Sequence, residues 1–325
     1  MKNMRKNSKI FFGVCSLVLV LLVAVVWLNI GVVSDFWVGM WYRPTDEMAE
    51  IRESLDLTGT GARIFNASLP ELQERQEFNQ NCREVENASA ILGCYKDGRI
   101  YVYNIVDEEL PGIRELTAAH ELLHAVYHRM GSEEKSKWRN ELIKVYHENQ
   151  SVLGDEIELY GDSEKQEELY VRAGTEITDL PEILEKHYAE IFENQDKIAG
   201  YYNSYIKIFR EIEEKLEGLY GEIKVLDEQI AAKTTEYQAS IEALNAEISE
   251  FNNCAGTLNC FSSTYVFNKR RAELLAKRDS LESLYNEINA MVAQYNKKVE
   301  EYNEYALHGQ ALNMAINSSE RVGEL

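Results

Sequence analysis

The 325-residue sequence is 45% hydrophobic and 27% charged, the composition of a folded chain rather than a disordered one. Its 55 Asp+Glu outnumber 34 Lys+Arg, for a formal net charge of −21, and so acidic a surface repels phosphate backbones. Nucleic acid is therefore excluded as an expected partner, and the length suffices for one substantial core plus a second element.

Residues 1–9 form a basic tail carrying Lys2, Arg5, Lys6 and Lys9, and residues 10–33 then run without a charged side chain. As a helix this stretch would be about 36 Å long, enough to cross a ~30 Å hydrocarbon core. A cleaved secretory signal would have a shorter apolar region, so the length predicts an uncleaved transmembrane helix over 10–33. The basic flank, set against Asp35 on the other side, places the N-terminus in the cytoplasm and everything after residue 34 outside it. Trp37, Trp41 and Tyr42 suit the outer interface. The cysteines agree with export. Cys15 lies in the apolar run, and the other four make two local pairs, Cys82 with Cys94 and Cys254 with Cys260, which read as disulfides.

Residues 34–65 read as a juxtamembrane connector with a short helix over 45–55 and a flexible Thr58-Gly59-Thr60-Gly61. Ser68-Leu69-Pro70-Glu71 has the pattern of a helix N-terminus, predicting a helix through Cys82. Residues 91–95 and 99–105 are β-rich and joined by Lys96-Asp97-Gly98, a hairpin signal. Ile113, Leu116, His120, Leu123, His124 and Tyr127 follow a helical period that stops at Gly131, with further helices at 133–149 and 163–173. The expectation is an α+β, zincin-like domain over 66–195: a small antiparallel sheet followed by the helix that bears the site. From Tyr205 apolar residues recur at alternating spacings of three and four, pause at a polar segment holding Cys254 and Cys260, and resume to Tyr302. This predicts a long antiparallel coiled-coil hairpin over 196–308, then a tail over 309–325.

His120-Glu121-Leu122-Leu123-His124 carries the chemistry. On a helix the two histidines lie one turn apart on one face, so both imidazoles reach one tetrahedral Zn²⁺. Glu121 lies about 100° round the helix, where it can touch water on the metal without ligating it, as a general base must. Its three fixed positions make the motif fairly specific. His128 sits about 12 Å along the axis from His120 and cannot share its zinc. The three-histidine pattern would need Gly at 127 and His at 130, where the chain has Tyr127 and Met130. A downstream Glu is then the natural third ligand.

A His-Glu-x-x-His helix followed by a Glu on a later helix resembles the gluzincin class of metallopeptidases. The segment matching their third-ligand motif is Glu167-Glu168-Leu169-Tyr170-Val171-Arg172. It departs from that motif, because no Asn precedes Glu168 and Arg172 stands where an outer Asp is expected. Glu168 is the expected third ligand, with Glu176 as the alternative. Gly93-Cys94-Tyr95, the strand after Arg99, Thr117-Ala118-Ala119-His120-Glu121, Gly174-Thr175-Glu176 and Leu180-Pro181 also resemble a group of membrane-anchored bacterial proteins, over roughly residues 85–205. The gluzincin resemblance implies an edge strand that holds the substrate backbone, for which 99–105 is the candidate, and an oxyanion group among Tyr170, Arg172 and His187. The expected function is a single-pass, zinc-dependent peptidase acting on a peptide or protein outside the cytoplasm. The alternative is a non-catalytic envelope scaffold with a structural zinc, whose coiled coil binds a protein partner.

Overall fold

The computed structural model describes residue 27 and residues 30–82, 92–154, 157 and 160–318. The first helices are α1 (Ile30–Trp41), α2 (Asp46–Ser54) and α3 (Gly59–Ala67). Thr45 caps α2 by accepting from the Met48 amide, and Thr58 caps α3 by accepting from the Gly61 amide. The expected flexible Thr58–Gly61 stretch is therefore a helix start. Met48, Ile51, Ile64 and Phe65 from α2 and α3 are buried in the main core, so this is domain structure and not a connector.

The expected transmembrane helix is corrected. Most of residues 10–33 lie outside the described residues, and among the described residues no helix is long and apolar enough to cross a membrane. The described end of the segment enters α1, 12 residues long, which runs on through a charged position. Asp35 accepts hydrogen bonds from Arg63 at 2.7 Å and from Arg129 at 3.1 Å, and Gly39 lies against Asn66 and Ala67 of α3. These contacts use α1 as a docked element of the domain. The single-pass localisation, with a cytoplasmic N-terminus and the rest outside, falls with the span.

The predicted helix over 68–82 divides into β1 (Glu71–Gln73) and α4 (Arg75–Cys82). Leu69 has a positive φ of 46°, which breaks a helix, and the Ser68 carbonyl accepts from the Ile100 amide instead. β2 (Gly93–Lys96) and β3 (Arg99–Tyr103) form the predicted hairpin. β1 pairs parallel with β3, so the order is β1-β3-β2. The sheet is mixed rather than antiparallel, and β3 is its centre. The expected α+β class is thus corrected to a predominantly helical fold with one small sheet. The Cys82–Cys94 disulfide ties α4 to β2.

Helix α5 (Ile113–Arg129) packs against β2 and β3 and against α2 and α3. Its apolar residues surround the axis, with Ala118, Ala119, Leu122, Leu123 and Ala125 fully buried, as a central helix requires. Then come α6 (Ser132–Glu148), α7 (Gln150–Leu153), α8 (Asp162–Glu176) and α9 (Glu182–Tyr188). Helix α8 packs on α5 and continues through Gly174, where a break was expected.

The long helices are α10 (Gln195–Ala255) and α11 (Thr264–Ile316). The chain divides into two compact units, with boundaries after Ile208 and after Leu312. In the Phe209–Leu312 unit the helices pair antiparallel, as expected of a coiled-coil hairpin: Lys215 bonds Glu301 and Lys233 bonds Glu287, so partner numbers fall on one helix as they rise on the other. Ile212, Leu219, Leu244 and Leu274 are buried in this unit. The expected Cys254–Cys260 disulfide closes its tip above a cluster of Phe251, Phe261 and Phe267.

Candidate metal centre

Helices α5 and α8 bring the candidate residues together. Their close approach depends on Gly174: a Cβ there would lie 2.6 Å from Leu123 Cδ1 of α5 and 2.6 Å from Tyr188 Cε1 of α9. From α5, His120 and His124 project one turn apart toward α8, with ring centroids 5.0 Å apart. From α8, Glu168 meets both, its Oε1 3.9 Å from His120 Nε2 and its Oε2 3.6 Å from His124 Nε2. Ligand-capable atoms of His120, His124 and Glu168 all lie within 4.8 Å of one another. Ligands about 2.0–2.1 Å from a tetrahedral zinc are separated by about 3.3 Å. The observed separations exceed that by a few tenths of an ångström and more, so the donor set and spacing fit a zinc ion after small side-chain shifts.

The electrostatics fit a cation as well. His124 Nε2 is buried and has no hydrogen-bond partner, while its Nδ1 donates to Glu167 Oε1 at 2.8 Å. Burial opposes a charge on His124. The Glu167 hydrogen bond and the charges of Glu121, Glu168 and Glu167 outweigh it and push the pKa up to about 9. Negative charge from three carboxylates thus surrounds His124, as a cation site requires. His120 is driven the other way, by burial first and then by His124 and Arg172, so it is neutral and offers a lone pair.

Glu121, 2% exposed, leaves α5 toward β2. There Gly93 is obligatory, because a Cβ would lie 2.6 Å from Thr117 Cγ2 and 2.7 Å from Glu121 Oε1. The edge strand beside the site is β2, which corrects the expectation for 99–105, since β3 is paired on both sides. A cleft of about 200 Å³ opens at this point, lined by His120, Glu121, Glu168 and Arg172 with Tyr202 and Tyr205 from the first turns of α10.

The other candidates separate by position. Glu176 is held by Arg172 in a two-pronged ion pair at 2.8 and 2.9 Å, and Arg172 also donates to the Leu153 carbonyl. Eight residues beyond Glu168, it is about 12 Å further along α8 and outside the ligand group. Both line the cleft wall. Tyr170 and His187 do not line it, which removes them as oxyanion groups. Tyr170 is fully buried and hydrogen-bonded to His187 Nε2 at 3.0 Å, and His187 stacks on Trp138 of α6 at 4.3 Å. These are core contacts on another face of α8. Sequence reasoning missed the part played by Glu167. The signal was its position beside Glu168, since consecutive helical residues point about 100° apart and can address two sides of one partner.

No family model, no curated protein and no solved structure matches the chain, so the site's own geometry and chemistry carry its functional reading.

Proposed function

We propose that the protein is a zinc-dependent peptidase, with His120, His124 and Glu168 as metal ligands and Glu121 as general base. One observation carries the reading: three ligand atoms of the types zinc prefers converge within 4.8 Å at the edge of a cleft that Glu121 also lines. Bound zinc would supply Lewis acidity, polarising the scissile carbonyl and acidifying water. Glu121 takes the proton from the attacking water and passes it to the leaving amine, so that one peptide bond and one water become a carboxylate and an amine. The outer edge of β2, which pairs with no strand among the described residues, is suited to hold the substrate main chain as an added strand.

A set of three protein ligands among the described residues and an adjoining cleft favour catalysis over a structural zinc, for which a closed set of four ligands is usual. The long hairpin supports the second reading, a non-catalytic scaffold with the same zinc. The two are separated by zinc content and turnover of a generic peptide pool, in wild type and Glu121→Gln. The expected outcome is near-stoichiometric zinc in both, with hydrolysis by wild type and a loss of about 10²–10⁴-fold in the variant. Zinc without hydrolysis in wild type, or equal hydrolysis by the variant, overturns the peptidase reading.

A further inference from the structure

Two consecutive carboxylates of α8 grip opposite nitrogens of one imidazole. Glu168 Oε2 faces His124 Nε2 at 3.6 Å, and Glu167 Oε1 accepts from His124 Nδ1 at 2.8 Å. The same Glu167 oxygen lies 3.1 Å from Nε2 of His128, one turn further along α5. His128 in turn lies against the Tyr95 ring of β2, with centroids 5.3 Å apart, and the Tyr95 hydroxyl accepts from Arg129. His128 is 55% exposed and lies outside the ligand group, so zinc ligation does not account for its position.

On the zinc reading above, we propose that Glu167 is the positioning residue of His124, and that His128 is the outer anchor that holds Glu167 in place. The carboxylate accepts only, so it fixes a proton on Nδ1 and leaves Nε2 facing the ligand group, where it would give its lone pair to zinc on losing its own proton. A ring free to turn about its χ2 would present either nitrogen and lose part of its binding free energy to ordering. Glu167 alone is a flexible side chain at the edge of the core, 20% exposed. A second polar contact on the same oxygen restricts its rotamers, and His128, with Nε2 3.1 Å away on the helix that carries His124, supplies it.

The test uses the full chain and zinc alone as probe, with affinity read by competition against a chromophoric chelator and geometry by the visible spectrum of the Co²⁺-substituted protein. Glu167→Gln should weaken zinc about 10–100-fold and alter the Co²⁺ bands while the thermal transition stays cooperative. His128→Ala should weaken zinc by a smaller factor, and His128→Gln, which keeps a donor near the Nε2 position, should restore it. In the Glu167→Gln background His128→Ala should add nothing, because its effect runs through Glu167. Unchanged zinc affinity in Glu167→Gln overturns the role of Glu167, and an undiminished His128→Ala effect in the double variant overturns the anchor. If wild type takes up no zinc, the zinc reading fails, and this inference with it.

Discussion

Gly93 illustrates how a single residue can set the geometry of a site without taking part in its chemistry. It has no unusual backbone conformation to explain it. Its role is the space it leaves for Thr117 and Glu121, whose atoms would sit 2.6–2.7 Å from a Cβ. Gly93→Ala should push Glu121 aside or lift β2 off α5, at an overpacking cost of about 1–3 kcal/mol. Because Glu121 is not among the proposed zinc ligands, the expected signature on the proposed function is zinc retained with peptidase turnover lost. A variant that hydrolyses peptides at the wild-type rate would show that the close approach does not matter. The same residue is silent in the sequence, where a glycine at a strand start reads equally as turn or bulge.

At the scale of elements, the centre depends on the separation of α5 and α8. Gly174 lies in the last turn of α8, and glycine inside a helix costs up to about 1 kcal/mol relative to alanine, so Gly174→Ala would if anything stabilise an isolated helix. Here the added methyl meets Leu123 and Tyr188 at 2.6 Å in a fully buried contact. Overpacking of about 1–3 kcal/mol outweighs the propensity gain. The expected outcome is a lower melting temperature together with weaker zinc binding, since α8 carries Glu168 and α5 both histidines. Loss of stability with unchanged zinc affinity would mean that the helices separate elsewhere than at the site. Disulfide placement was legible at this scale, because short sequence separations leave few other partners: Cys82 with Cys94 and Cys254 with Cys260 are both formed. An oxidising compartment suits them.

Across the whole molecule, His187 joins three helices: its ring lies on Trp138 of α6, its Nε2 meets Tyr170 of α8, and it belongs to α9. Burial first, and the Lys137 charge second, lower its pKa from 6.5 to about 4. Unfolded, it takes a proton near pH 6.5, whereas folded it refuses one until about pH 4. Its contribution to stability is therefore complete above pH 6.5 and declines as pH falls toward 4. Denaturant unfolding at pH 7 and pH 5 should show wild type losing more stability on acidification than His187→Gln, whose side chain does not titrate. An equal loss would contradict the buried, neutral state of the ring.

Local order in the sequence determined whatever depends on neighbours along the chain. The i, i+4 spacing puts His120 and His124 on one face, Asp97-Gly98 turns a hairpin, and two heptad arms joined by a short polar segment make an antiparallel pair. Hydropathy alone predicts a span over residues 10–33, whereas among the described residues no helix is long and apolar enough to cross a membrane, and α1, which begins at the end of that run, docks on the domain through Asp35. Only the tertiary structure decided which of two glutamates on α8 meets the histidines. It also showed that Glu176 is held by Arg172, that β1 joins β3 in parallel, and that Glu167 stands behind His124. Each of these depends on the packing of elements far apart in sequence, where a shift of one residue along a helix rotates a side chain by about 100° and changes its partner.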